Sequence, residues 1–244
     1  MATIKGVFFD AAGTLFETRA PVGDTYARLA SAYGVHTSST EVNSAFRRVF
    51  RNARPLSFGL GLGAKELRRL ERDWWRALVA ETFEGMGEFS DFDAYFNSLF
   101  EFFADPANWI AEPAALPALL ALRERGLTCG VISNFDHRLY RILDGLGLSR
   151  CFDSITISSE AGYAKPSVRL FQTALDRHRL TPAEAIHIGD SEHLDFEGAS
   201  AAGLFAILLD PNLSEPVLVN GRNAKIRSLK ESIMLVNIFD HPSG

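Results

Sequence analysis

In the stretch VFFDAAGTLF (residues 7–16) an apolar run ends in a single acid, Asp10, followed by Ala11, Ala12, Gly13 and Thr14. The pattern predicts a buried strand that delivers a carboxylate to a sharp turn, where it could serve as a nucleophile, a metal ligand or both. Three later stretches also bring polar residues to strand ends. VISNFD presents Ser133 and Asn134, GYAKP holds Lys165 just before Pro166, and HIGDSEHLD carries Asp190 and Asp195. Taken singly, each has a plain structural explanation. A strand-end Asp caps helices or forms turns, Ser-Asn and Gly-Asp are ordinary turn pairs, and a lysine before proline is usually solvated. The order carries the signal: a carboxylate, a hydroxyl, a cation and paired carboxylates at the ends of successive strands. Such a set suits phosphoryl transfer, because carboxylates hold Mg²⁺ through hard oxygen ligands. A lysine and a hydroxyl then help neutralise the equatorial oxygens while one carboxylate attacks in line.

The elements that must position these residues are legible as short apolar runs at 4–9, 127–132, 154–157, 185–188 and 205–209. They are nearly continuous rather than alternating, as parallel strands buried on both faces are. Helical patterns at 113–125, 138–146 and 169–179 lie between the later runs and stop at Gly126, at Gly147 and near Thr181-Pro182. This alternation predicts an α/β fold, a doubly wound parallel sheet that binds ligands outside the carboxyl ends of its strands. Residues 21–108 read differently, with helical patterns at 26–33, 40–52, 64–83 and 91–103 and no convincing strand among them. They are expected to form an all-helical cap inserted after the first strand, with linkers near 17–22 and 106–113 and a core built from residues 1–20 and 109–244. Trp74, Trp75, Phe83 and the aromatics of 92–103 are expected to fill that cap, with one or two facing the cleft. The glycine-rich SFGLGLGAKE (57–66) has neither a preceding strand nor the Gly-Lys-Ser/Thr of a phosphate-binding loop, so a flexible loop between two cap helices is expected there.

Composition narrows the class. With 244 residues, 47% of them hydrophobic, the chain has material for a sizeable core. A net charge of -5 offers no basic footprint for nucleic acid or an anionic membrane. Two cysteines, Cys129 and Cys151, do not make a disulfide framework, and no apolar run is long enough for a signal peptide or a bilayer span. The expectation is a soluble cytoplasmic protein acting on a small molecule.

The four elements DAAGTLF, VISNFD, AKP and GDSEHLD resemble, in order, the four motifs of the haloacid dehalogenase (HAD)-like hydrolases. The resemblance covers essentially the whole chain, including a helical insert after the first motif. Within the superfamily, the Trp-Trp pair of the insert together with GVISNFDHRL, SEAGYAKPSVRLF and HIGDSEHLDFEGASAAG is most similar to the haloacid dehalogenase-like hydrolase domain-containing protein 3 subgroup. It implies a Rossmann-like HAD core with a cap, Mg²⁺ as cofactor and a small phosphorylated metabolite as substrate. By the same resemblance Asp10 is the nucleophile and a metal ligand. The Ala12 backbone carbonyl and Asp190 also bind the metal, and Asp195 supports it directly or through water. Thr14, Ser133 and Lys165 hold the phosphoryl group and the nucleophile, with Asn134 assisting through its backbone or side chain.

One position departs from the pattern. Phosphatases of this superfamily carry Asp two residues after the nucleophile, where it protonates the leaving alkoxide and then activates the hydrolytic water. Ala12 retains a carbonyl for the metal but moves no proton, and general acid–base catalysis typically supplies about 10²–10⁴-fold in rate. Three readings follow. The one taken forward is a Mg²⁺-dependent phosphatase-like hydrolase that is slow or restricted to good leaving groups, with Glu17, Asp136 or His137 available to share the missing proton work. The second is cleavage of a carbon–phosphorus or carbon–halogen bond, for which Lys65, the only lysine of the cap, would have to form a Schiff base in the phosphonatase case. The third is a catalytically weak or inactive phosphate- or metal-binding interaction protein.

Overall fold

A computed structural model describes residues 3–240. The chain opens with strands β1 (Gly6–Phe9) and β2 (Phe16–Thr18) and continues through helices α1 (Val22–Ser31), α2 (Ser39–Asn52), α3 (Ala64–Thr82) and α4 (Phe92–Ala104). Strand β3 (Trp109–Ala111), helix α5 (Ala115–Glu124), strand β4 (Thr128–Ser133), helix α6 (Arg138–Gly145) and strand β5 (Ser154–Ile157) follow. Next come α7 (Ser158–Ala161), α8 (Val168–Asp176), β6 (Ala185–Gly189), α9 (Gly198–Ala201) and β7 (Phe205–Leu209). A hairpin of β8 (Val217–Asn220) and β9 (Asn223–Ile226) and a last helix, α10 (Ser232–Asp240), complete the described chain.

Seven strands form one sheet in the order β5-β4-β1-β6-β7-β9-β8, parallel throughout except for the β8–β9 pair. The fold is therefore the expected α/β Rossmann-like sheet. Side chains of β1 alternate between its faces, as the period of a strand requires. Val7 and Phe9 join a core that includes Leu119 and Leu122 of α5 and Leu139 and Ile142 of α6. Phe8 joins the opposite core with Leu170 and Phe171 of α8. All three β1 residues are fully buried, which is why the run carries no alternation in the sequence.

Helices α1–α4 surround a third core of Tyr26, Val42, Val79, Phe83, Tyr95, Phe96 and Leu99, separate from the two sheet cores. Two helix starts have side-chain caps, with Ser38 accepting from Glu41 N and Asp91 from Ala94 N. The segments expected to be linkers are more ordered than that. The chain leaves the core through β2 and returns through β3, and these pair antiparallel, Phe16 opposite Ala111 and Thr18 opposite Trp109. Three-residue strands are too short to show a period, so the ribbon is invisible to pattern reading. The same limit hid the β8–β9 hairpin, whose β8 residues are all exposed. Residues 57–63 lie in the connection between α2 and α3, residues 64–66 begin α3, and the same connection meets the core where Ser158 Oγ donates to Leu56 O at 2.7 Å.

The sheet is tight where β4 passes β1. A Cβ on Gly130 would stand 2.6 and 2.7 Å from Cδ1 and Cε1 of the fully buried Phe8. Gly130→Ala is expected to cost about 1–3 kcal/mol by overpacking, seen in urea unfolding as a lower midpoint at unchanged slope.

Candidate active site

Parallel strands bring their carboxyl ends to one edge, and the polar residues singled out in the sequence meet there. Asp10 follows β1 directly, and its backbone N donates to Ile188 O of β6 at 2.8 Å, so the strand ladder fixes the start of the turn. Gly13 then turns the chain at φ +93, a conformation that favours glycine. Space demands glycine there as well, since a Cβ at Gly13 would lie 2.6 Å from Asp190 Oδ2. Thr14 Oγ1 donates to Asp190 Oδ1 at 3.3 Å and braces that carboxylate from below.

Ser133 ends β4 and is buried. Asn134 beside it clamps the backbone of Lys165 in both directions: its Nδ2 donates to Lys165 O at 3.0 Å, and Lys165 N donates to its Oδ1 at 2.7 Å. That clamp aims the lysine side chain inward. Lys165 Nζ donates to Asp10 Oδ1 at 2.5 Å and to Asp195 Oδ1 at 2.6 Å. Asp195 lies in a π-helical turn, Glu192–Glu197, and such turns are frequent at functional sites. The turn carries Asp195 back over β6, where Ser191 N donates to its Oδ2 at 3.1 Å and His187 Nε2 lies 2.8 Å from its Oδ1.

Charge is unbalanced. Asp10, Asp190 and Asp195 place oxygens within 4.8 Å of one another, and Lys165 pairs with two of them, Asp10 and Asp195. Burial pushes the Asp10 carboxyl up by more than Lys165 pulls it down, and the Asp195 charge adds to the rise. Asp190 is pushed up to about 6, first by desolvation and then by the Asp10 and Asp195 charges. Asp195 goes the other way: burial raises it, but the Lys165 charge and the bonds from His187 and Lys165 outweigh that and hold it ionised. Burial would lower Lys165, yet Asp10 and Asp195 together raise it, so the amine stays protonated. A cluster of hard oxygen donors with excess negative charge suits a hard divalent cation, and Ala12 beside it also faces the same cavity.

The cavity, about 470 Å³, lies between the strand ends and the cap. Asp10, Ala12, Ser133, Asn134, Lys165, Asp190 and Asp195 all line its floor. Thr14 does not line it; its hydroxyl is spent on Asp190. Of the three groups that could replace the missing acid, only Glu17 faces the cavity. Asp136 is locked by two bonds from Arg138, at 2.8 and 2.6 Å, and one from Trp75 Nε1 at 2.6 Å. Burial would raise its carboxyl, but the Arg138 charge and these bonds hold it low. His137 is paired with the fully buried Glu71 of α3.

Two features escaped pattern reading. His187 sits inside an apolar strand, where a lone histidine reads as core. Burial lowers its pKa, so the ring is neutral; facing an ionised carboxylate, Nε2 must carry the proton, which leaves Nδ1 bare and without a partner. The Asp136–Arg138–Trp75 and His137–Glu71 contacts tie the cap to the core. Their partners are 61 to 66 residues apart, a separation at which local spacing carries no signal.

A family model described as haloacid dehalogenase-like hydrolase matches residues 4–203. The chain belongs to the haloacid dehalogenase-like hydrolases. Its curated relatives include haloacid dehalogenase-like hydrolase domain-containing protein 3 of Mus musculus, 37% identical over 82% of this chain and 80% of that protein. The protein of that name from Homo sapiens is 35% identical over 88% of this chain and 86% of its own length. Among solved structures, a HAD phosphatase from Thermococcus onnurineus superposes with a TM-score of 0.67 at 22% identity, covering 96% of this chain and 98% of that one. An L-2-haloacid dehalogenase from Xanthobacter autotrophicus gives 0.66 at 20% identity over 87% and 80% of the two chains. Phosphatase and dehalogenase thus share this HAD fold, and the fold alone does not choose between them.

The charge imbalance sets a test. A carboxyl with pKa raised from 3.8 to about 6 holds a proton in the folded state that the unfolded chain has lost, so its contribution to stability falls as pH rises from 3.8 through 6. Asp190→Asn is therefore expected to raise the melting temperature by a few degrees in chelator at pH 7.5, and by less at pH 5. Mg²⁺ is expected to raise the melting temperature of the parent protein, less so below about pH 6, and Asp190→Asn is expected to lose that response.

Proposed function

We propose that this HAD-like hydrolase is a Mg²⁺-dependent phosphatase-like enzyme acting through an aspartyl-phosphate on a small phosphorylated metabolite. The observation that supports this best is the seating of Asp10 at the cavity floor with Lys165 Nζ 2.5 Å from its carboxylate and Ser133, Asn134 and Asp190 around it. Asp10, Asp190 and the Ala12 carbonyl would hold the Mg²⁺, with Asp195 supporting that group while it anchors Lys165. When bound, the ion would offset charge on the phosphoryl oxygens. Ser133 and Lys165 bind the same oxygens and orient phosphorus toward Asp10. Asp10 attacks in line, forming the aspartyl-phosphate as the leaving oxygen departs. Water then releases phosphate and restores the carboxylate.

Proton movement is the weak link. With Ala12 in place of an acid, Asp136 locked and His137 paired, Glu17 is the carboxylate left to serve a leaving group or a water from above the floor. The reading is thus a hydrolase that is slow on alkyl phosphates or restricted to esters with good leaving groups. A phosphonatase-type Schiff base has little support, since Lys65 is exposed on the first turn of α3 and does not line the cavity. A dehalogenase-type reaction would leave Asp190 as an unneeded negative charge beside the nucleophile. A binding protein without turnover is favoured by Ala12 and by the subgroup resemblance, while the Asp10–Lys165 contact favours chemistry. No helix of the described residues is long and apolar enough to cross a membrane, and both cysteines are free and buried, as a reducing cytoplasm would allow.

Asp10→Asn is expected to abolish phosphate release in a contaminant-free preparation while the circular dichroism spectrum stays unchanged. Ala12→Asp is expected to accelerate single-turnover cleavage of alkyl phosphates by up to about 10², and of aryl phosphates by less. No gain on either substrate, with Mg²⁺ still bound, would exclude Ala12 as the limiting position.

A further inference from the structure

The floor of the cavity is polar, but its other wall is a sheet of rings. Phe46 and Phe50 of α2 stack at 24°, and Phe50 continues onto Trp75 of α3 at 29°. All three line the cavity with Phe96, Phe100 and Phe103 of α4. The polar atoms on this wall are largely engaged already. Trp75 Nε1 donates to Asp136, and Trp109 Nε1 to Phe103 O at 3.1 Å. Arg138 faces the cavity, but its guanidinium is bonded to Asp136 and lies flat against rings, 4.1 Å from the Phe100 centroid and 4.9 Å from that of Trp75. Tyr26 adds one more ring and one hydroxyl.

Such a wall penalises a polyol. Sugar hydroxyls pressed against the rings would lose water and find no partner among them, with Glu17, Thr18 and Tyr26 the polar groups at hand. A flat apolar group needs no polar partner there and gains ring contacts, edge-on or offset, with the residues that line the wall. The second observation is independent and lies on the floor. Without an acid at position 12, and with Glu17 alone of the three substitutes facing the cavity, a leaving oxygen that needs little protonation is favoured. A phenol has a pKa of about 10, whereas an alkanol is close to water, about 15.7. The ring that fits the wall is thus also the leaving group that tolerates Ala12.

We infer that the substrate class of this site is the aryl phosphate monoester, with its aromatic ring held between the α2–α3 ring stack and the α4 phenylalanines. This rests on the phosphatase-like reading for the reaction, though not for the binding preference. The bond from phosphorus to the aryl oxygen breaks as that from phosphorus to Asp10 forms. The phenolate leaves with the electron pair and takes its proton from water, and a second water cleaves the aspartyl-phosphate to inorganic phosphate.

Three esters separate the two contributions: phenyl phosphate, cyclohexylmethyl phosphate (apolar, alkoxide leaving group) and glycerol phosphate (polar, alkoxide leaving group), each with saturating Mg²⁺. The expected order of kcat/KM is phenyl, then cyclohexylmethyl, then glycerol phosphate, with about 10² or more between the extremes. Cyclohexylmethyl phosphate is expected to exceed glycerol phosphate through KM. Phe50 is 47% exposed, so Phe50→Ala should fold. It is expected to lower the phenyl-to-glycerol ratio of kcat/KM about tenfold. Equal or better turnover of glycerol phosphate overturns the aryl assignment and leaves the phosphatase reading standing, as does a ratio that Phe50→Ala does not move. If no ester is cleaved, the phosphatase reading fails and calorimetry decides the rest. Phenylphosphonate is expected to bind at least about tenfold more tightly than a glycerol-like phosphonate, and equal affinity, or no binding of either, overturns the aryl class.

Discussion

Lys165 carries its ammonium to a place where its side chain is 2% exposed, and the charge survives there because Asp10 and Asp195 lie 2.5 and 2.6 Å away. A buried ion of this kind is tolerable only with partners in good geometry, and deleting one partner typically costs about 3–5 kcal/mol. Much of the neighbourhood serves that requirement. Asn134 fixes the lysine backbone, the π-helical turn swings Asp195 under the amine, and His187 with Ser191 N satisfies the remaining acceptors of Asp195. Gly189 belongs to the same device: a Cβ there would stand 2.2 Å from Asp195 Cγ. Because these groups come from four separate strand ends, the sheet register and the site are one constraint.

The second organising fact is that the cavity has two owners. Its floor comes from strand ends and its ring wall from the cap, so the site exists only while the two are held in register. The β2–β3 ribbon makes the covalent connection a paired one instead of two loose strands of linker. Trp75 on Asp136 and Glu71 on His137 add polar contacts across the same boundary, and Glu71 is fully buried in making them. Removing either carboxylate would strand its partner, which makes the contacts specific as well as adhesive. The arrangement also withdraws Asp136 and His137 from acid–base work, so the architecture that holds the cap in place deepens the consequence of Ala12.

Excess negative charge at the floor is an electrostatic cost that a bound cation would offset. Asp10 and Asp190 both titrate above the ordinary carboxylate range, first because burial desolvates them and then because neighbouring carboxylate charges add to the rise. A fold selected for stability alone would not place Asp190 there, still less reserve a glycine at position 13 to let it approach. Local destabilisation of this sort marks a functional centre more reliably than any single residue type does.

The sequence by itself determined five of the seven sheet strands, the cap helices and the line of polar residues in the motifs. Each is a local property: a buried parallel strand must be continuously apolar, an amphipathic helix must repeat near 3.6 residues, Asp10 and Asp190 directly follow a strand, Ser133 ends one, and Lys165 lies in the turn between α7 and α8. The strands at 154–157 and 205–209 coincide with β5 and β7 for that reason. Ala12 was visible too, because an absent acid is a fact of one position. Tertiary structure decided what depends on distance in space. It separated Glu17, which faces the cavity, from Asp136 and His137, which do not, although all three sit beside a motif. It turned Thr14 from a candidate phosphate ligand into a brace for Asp190. It also assembled aromatic residues from three cap helices into one wall and paired β2 with β3 across some ninety residues of chain, from Phe16 to Ala111. No local pattern encodes these, because which side chains meet is set by how layers pack and not by the period of any one segment.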